Sequence, residues 1–170
     1  MPHIHSFPPV SNADARVLIL GSMPGKKSLQ EKQYYALPQN AFWKIMGELI
    51  GAHPDLSYEK RLDALKASGI ALWDVLASCV RESSLDAHIT QESANDFASF
   101  FARHLYITHV FFNGSKAEQC FRKFVQGKQA LSPQEFCRLP STSPAHAGMR
   151  YEEKLKVWRE KLRHTGVISI

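Results

Sequence analysis

Four short apolar runs punctuate this chain: "ARVLIL" (15–20), "GIALWDVL" (69–76), "YITHVFFN" (106–113) and "EFCRLP" (135–140). Each is rich in aliphatic, β-branched or aromatic residues. Near-continuous apolar runs of this length predict strands buried on both faces of a parallel sheet. Between them the spacing becomes helical. Residues 41–50 and 58–67 read as helices, the second with Ser57 as its N-cap. In 94–104, Phe97, Phe100, Phe101, His104 and Leu105 fall on one helical face. In "SKAEQCFRKFVQ", Ala117, Cys120, Phe121, Phe124 and Val125 do the same, and Ser115 and Glu118 have capping-box spacing. A last helix over about 150–163 carries Tyr151, Leu155, Trp158 and Leu162 on one stripe. Strands alternating with helices predict an α/β fold of three layers, αβα, around a central four-stranded parallel sheet. Residues 1–14 read as an irregular Pro- and His-rich arm. Residues 15–170 contain no repeat, low-complexity tract or linker, so they read as a single domain.

In open parallel sheets, ligands bind beyond the carboxyl ends of the strands. The turn-forming residues cluster there. "GSMPG" (Gly21, Ser22, Met23, Pro24, Gly25) follows the first strand, and "ASCVRESSLD" with Asp86 the second. "NGS" with Asn113 follows the third, and "STSPAH" (Ser141, Thr142, Ser143, Pro144, Ala145, His146) the fourth.

Composition narrows the chemistry. The chain has 170 residues and a formal net charge of +5, which favours a polyanionic partner. Cys79, Cys120 and Cys137 are odd in number and far apart, so no disulfide framework, zinc site or iron–sulfur signature is visible. No apolar run approaches a membrane span, and "MPHIHSFPPV" is no signal peptide. A reduced cytoplasmic protein is the simplest expectation. "GSMPGKKS" fails as a P-loop because Lys26 stands where the second glycine belongs. No GxGxxG, GxSxG or HExxH occurs. His3, His5 and His104 read as solvated or structural rather than metal-ligating.

The segment "QYYALPQNAFW" offers two readings. Tyr34, Tyr35, Phe42 and Trp43 can stack on a base while Gln39 and Asn40 hydrogen-bond a base edge or a water. Alternatively, Phe42 and Trp43 belong to the core and Asn40 merely caps the helix that follows.

These motifs resemble the uracil-DNA glycosylase superfamily, most closely its hypoxanthine-DNA (deoxyinosine) glycosylase branch. "LILGSMPGKKSLQEKQYYALPQNAFWKIMGELIG" is similar to the first family motif, "LPSTSPAHAG" to the second, and "GIALWDVLASCVRESSLDAHI" and "HVFFNGSKA" also look like that branch. The resemblance covers about residues 14–160. It implies a uracil-DNA glycosylase-like fold and a monofunctional hydrolysis without strand cleavage, with no Schiff-base lysine, no metal and no organic cofactor.

The residue-by-residue carry-over is uneven. Met23 stands where uracil-processing relatives place a water-positioning Asp or Asn, so the resemblance assigns that task to Asn40. It assigns Tyr35 to stacking on the flipped base, and Ser143 and Pro144 to phosphate contact. Ser141 replaces a catalytic histidine, and Ala145 sits at the wedge, where Met149 or His146 can substitute. Asp86 and Asn113 are candidates for reading the base, or else turn residues and caps. The implied partner is double-stranded DNA containing deaminated bases, bound by a monomer. A mismatch-specific uracil/thymine glycosylase and a non-catalytic DNA-binding relative stay open as alternatives.

Overall fold

The computed structural model describes residues 3–81, 89–133 and 135–170. Its central sheet has four strands: β2 (Val17–Gly21), β3 (Ile70–Asp74), β6 (His109–Asn113) and β7 (Glu135–Leu139). They lie in the order β3-β2-β6-β7, and every pairing is parallel. A second sheet of three antiparallel strands joins β1 (Ile4–His5), β4 (Leu76–Val80) and β5 (Thr90–Ala94). The helices are α1 (Lys26–Glu31), α2 (Phe42–Ile50), α3 (Tyr58–Ala67), α4 (Phe97–Arg103), α5 (Ser115–Phe124) and α6 (Tyr151–Thr165).

The apolar pattern of β2 explains the layers. All five of its residues are buried, and successive side chains point to opposite faces. Leu18 and Leu20 enter one core with Phe97, Phe100 and Phe121 from α4 and α5. Val17 and Ile19 enter the other with Phe42, Trp43 and Trp158 from α2 and α6. The three-layer α/β arrangement expected from the sequence is the one observed.

Several local expectations need correction. The apolar run 69–76 is two strands, not one. Val75 turns the chain across the end of β2, its N–H donating to the Gly21 carbonyl at 2.8 Å, and β4 departs into the second sheet. The helix expected from residue 94 starts at Phe97, because Asp96 caps it by accepting from the Ser99 N–H at 3.1 Å. Leu105 lies beyond the end of that helix and is 72% exposed, so it leaves the apolar stripe. The third strand starts at His109, not Tyr106. The Ser115–Glu118 capping box does not form. Gly114 is the N-cap, and Glu118 instead pairs with Arg122 and Arg138. Ser57 does cap α3, accepting from the Lys60 N–H at 3.3 Å.

The arm is also more ordered than its composition suggests. Ile4 and His5 pair with Cys79 and Ser78, and Val10 bridges Leu72. Ser11 Oγ lies 2.8 Å from His104 Nε2, while His104 Nδ1 lies 2.7 Å from the Phe100 carbonyl. Both nitrogens of this buried histidine are thus engaged inside the fold, in keeping with its structural reading.

Candidate active site

A cleft of about 480 Å³ opens at the carboxyl ends of the parallel strands. That volume suits a small ligand or an extruded base. Gly21 to Gly25 line it, as do Ser141 to Ser143 with Ala145 and His146, and Tyr35, Asn40, Asp74 and Asn113. Pro144 is exposed and outside the lining, as is Gln39. Asp86 falls outside the described residues.

The aromatic segment divides between the two readings of the sequence. Phe42 and Trp43 are buried in the α2 core. Tyr34 is also buried, and its hydroxyl donates to the Pro8 carbonyl at 2.8 Å, anchoring the arm. Tyr35 alone of these aromatic rings is half-buried at the cleft. Its ring stacks on Phe42, centroid to centroid 4.1 Å with an interplanar angle of 22°. Its backbone φ is 55°, a left-handed conformation that costs a bulky residue energy and commonly marks a functional position.

Asn40 both caps and lines. Its Oδ1 accepts from the Phe42 N–H at 2.9 Å, an Asx turn set one residue before Ala41, the helix N-cap. A carboxamide oxygen has a second lone pair, so this bond leaves it able to accept from a water. The next residue joins the two motif loops, because the Ala41 N–H donates to the Thr142 carbonyl at 2.9 Å.

Asn113 ends β6 and holds the second loop. Its Oδ1 accepts from the Thr142 N–H at 2.9 Å, and its Nδ2 donates to Thr142 Oγ1 at 2.9 Å and to the Tyr35 hydroxyl at 3.1 Å. Gly114 follows with φ 95°, where a Cβ would lie 3.0 Å from that of Ser141. Only glycine allows this turn and this close approach together.

The second loop also bonds to itself. Ser141 Oγ accepts from the Ser143 N–H and Ser143 Oγ from the Ala145 N–H, each at 3.1 Å. Those amides are therefore engaged, and the loop presents hydroxyls and neighbouring lysines to a ligand instead. Ser141, in the histidine position, is a turn former here. Behind the loop, buried Lys154 donates to the Ser143 carbonyl at 3.4 Å, and burial lowers its pKa.

Met23 is 8% exposed and packs into the core beneath α4 and α5. A thioether there cannot orient a nucleophile. Arg81 braces the same loop by donating to the Pro24 carbonyl.

Sequence reasoning missed three contributions. Asp74 is one, a buried carboxylate at the end of β3. Its signal was a lone acid inside an apolar run at a strand's carboxyl end. Lys26 and Lys27 are the second and Lys116 the third, lysines that line the cleft from α1 and α5. Ala145 and His146 are exposed, so no large apolar side chain stands at the wedge position. Among the described residues, no cluster of His, Cys, Asp or Glu could hold a metal ion. No helix among them is long and apolar enough to cross a membrane.

Known proteins resemble this chain in sequence and fold. Residues 8–163 match the model of the uracil DNA glycosylase superfamily. A hypoxanthine DNA glycosylase of Methanosarcina acetivorans is 35% identical over 159 residues, 93% of this chain and 97% of that protein. One from Methanosarcina barkeri is 40% identical over 112 residues, 65% of this chain and 71% of that protein. The solution NMR structure of a Methanosarcina acetivorans protein, described as a candidate uracil DNA glycosylase, superposes with a TM-score of 0.78 at 34% identity. It covers 97% of this chain and 99% of its own. With the family match spanning both motif loops and the whole parallel sheet between them, the chain belongs to the uracil-DNA glycosylase superfamily.

Proposed function

We propose that this chain is a monofunctional DNA glycosylase that hydrolyses the N-glycosidic bond of a deaminated base, hypoxanthine first, in double-stranded DNA. In this reading it acts as a monomer and needs no metal or organic cofactor. The observation that carries it is the meeting of Asn40, Tyr35 and both motif loops around one cleft of a size to take an extruded base. The names of the two Methanosarcina relatives support the choice of base.

The chemistry follows from the side chains. Flipping the target nucleotide costs a few kcal/mol, least for a mispaired base. Stacking on Tyr35, whose ring is backed by Phe42, offsets roughly 1–3 kcal/mol of that. Lys26, Lys27 and Lys116 at the cleft attract the flanking phosphates. Asn40 Oδ1 orients a water at the sugar carbon as the bond to the base breaks through an oxocarbenium-like state. The water's oxygen bonds to that carbon and gives up a proton to solvent, and the departing base leaves with the bonding electrons and takes up a proton in turn.

Single-turnover base release from duplexes carrying deoxyinosine, uracil or xanthine tests this, with Asn40→Ala beside the wild type. Hypoxanthine release that is lost in the variant supports both the substrate and the water-positioning role. Release unaffected by the substitution returns Asn40 to capping. No release from any duplex, with binding intact, identifies a non-catalytic DNA-binding relative.

A further inference from the structure

Helix α6 fastens the second loop with two side chains one turn apart. Trp158 Nε1 donates to the Pro140 carbonyl at 2.9 Å, and Lys154 Nζ donates to the Ser143 carbonyl at 3.4 Å. Between them, the Ala41 N–H engages the Thr142 carbonyl. Carbonyl oxygens repel phosphate, so these bonds tie down the groups on the loop least compatible with one. Lys154 is the unusual member of the set. It is 5% exposed, and among the described residues no carboxylate pairs with it. It stands near the N-terminal end of α6, where the helix adds partial positive charge of its own. The titratable groups on α6, on the second loop and on α2, which packs against α6, do not offset this charge. Arg150 and Glu153 pair with each other at 3.2 Å, and Lys44 lies 4.3 Å from the centre of the Tyr151 ring. Glu48, Glu152 and His146 are exposed, where water screens them.

We propose that Lys154 is a positioning residue for DNA, which holds the second loop by the Ser143 carbonyl and supplies from beneath it the positive charge that draws a phosphate onto the loop's hydroxyls. The inference rests on the glycosylase reading above for its ligand, duplex DNA. The Ser143 and Ala145 amides are engaged within the loop, so the hydroxyls it presents carry no net charge of their own. Lys26, Lys27 and Lys116 act from the cleft itself, whereas Lys154 is not among the residues lining it. Its charge acts through a layer of protein, where attraction is screened less than it is in water. In the free protein, burial and the helix end both disfavour the ammonium. A phosphate on the loop favours it. Binding therefore takes up a proton wherever the free lysine is partly neutral. Burial already lowers the lysine's pKa in the free protein. Affinity should thus be greatest below that lowered value and decline as pH rises through it toward the ordinary 10.5. A lysine that served only the fold would leave the affinity of the folded protein flat over the same range.

Equilibrium binding to a duplex carrying a tetrahydrofuran abasic analogue tests this apart from any chemistry. Affinity is measured from neutral pH upward, within the range where the duplex stays paired, for the wild type and two variants. Lys154→Gln keeps a donor for the Ser143 carbonyl and loses the charge. It should bind about tenfold more weakly at neutral pH and should lack the wild type's extra alkaline decline. Lys154→Arg keeps a charge that does not titrate. It should retain the neutral affinity and hold it as pH rises. Lys26, Lys27 and Lys116 are common to all three proteins, so their own titration cancels in the comparison. A glutamine variant with wild-type affinity and pH profile would overturn the assignment and leave Lys154 as a tether. Equal alkaline declines in all three proteins would overturn it too. If the arginine variant does not fold, the wild type against the glutamine variant decides. Base release is followed on the same preparations. A wild type that binds with the expected profile and releases no base would sink the glycosylase reading while leaving this inference standing, and one that binds no duplex would sink both.

Discussion

Both ends of the Asn113 carboxamide are bonded to Thr142: the oxygen accepts its N–H and the nitrogen donates to its hydroxyl, each at 2.9 Å. The third bond, to the Tyr35 hydroxyl, makes one side chain the junction of β6, the second motif loop and the stacking ring. Thr142 is 1% exposed, so removing its acceptor strands a buried N–H. Asn113→Ala should destabilise the fold by about 1–3 kcal/mol and lower base release as the loop shifts. Asn113→Asp keeps the acceptor for the amide and should fall between. Thermal unfolding of the three proteins checks this, and an alanine variant with wild-type stability would refute the clasp.

The proposed mechanism gives Asn40 two separable tasks. Asn40→Ala should slow base release by about 10²-fold or more and also cost about 1 kcal/mol of stability through the lost bond to the Phe42 N–H. Asn40→Ser offers a hydroxyl to that amide but no carboxamide to the water. It should regain most of the stability and little of the rate. Denaturant unfolding and single-turnover kinetics on the same preparations separate the two effects.

At Gly21 the argument is about space rather than backbone freedom, since its φ is not positive. Gly21→Ala places a methyl 2.6 Å from Asp74 Oδ1 and must displace the carboxylate or the strand. The expected cost is about 1–3 kcal/mol of stability, with a loss of hypoxanthine release larger than any loss of abasic-duplex binding. Equal losses in both assays would mean that the methyl merely disrupts the sheet.

Lys154 gives the fold a pH dependence of known sign. Burial lowers its pKa below the ordinary 10.5, so between the two values the unfolded chain holds more protons than the folded one. Its cost to stability is therefore fully present below the folded pKa and is relieved as pH rises toward the unfolded value. The wild type should gain stability relative to Lys154→Met as pH rises toward the ordinary lysine value of 10.5. Urea unfolding at several pH values measures that difference, and a gap that narrows or reverses sign the other way would contradict it.

Lys116 tests the electrostatics of the rim. Lys116→Ala should weaken binding to damaged and intact duplexes by the same factor. It should also lower the dependence of log affinity on log salt by about 0.9 if the lysine neutralises one phosphate. An effect confined to the damaged duplex would place Lys116 on the base instead.

The sheet and its flanking helices were legible because burial on both faces leaves a continuous apolar run, as in "VLIL", and a helix leaves a stripe such as Phe97, Phe100 and Phe101. The second sheet was not. β5 reads "TQESA", with every residue exposed or half-exposed, and it has no apolar pattern to announce a strand. Leu105 matched the helical spacing, but Asp96 and His104 set where that helix begins and ends. At the site, Tyr35 and Asn40 stood out by residue type. Asn113 did too, although its bonds to Thr142 and Tyr35 depend on a loop 29 residues away folding back onto it. Asp74 was hidden by its neighbours, since an acid ending "IALWD" reads as the polar end of a strand.

The pairing of Gly21 with Asp74 also bears on which changes of length the chain can absorb. The ladder from Val17↔Ile70 to Gly21↔Asp74 is the ruler that sets the acid at the mouth of the cleft. Adding or deleting one residue within Ile70–Asp74 would put Trp73 or Val75 opposite Gly21 and turn the neighbouring side chains to the wrong core. The same change in the connection between α2 and α3 would leave the ruler intact. Length variation should therefore be tolerated in that connection and excluded from β3, in natural relatives and in insertion libraries alike.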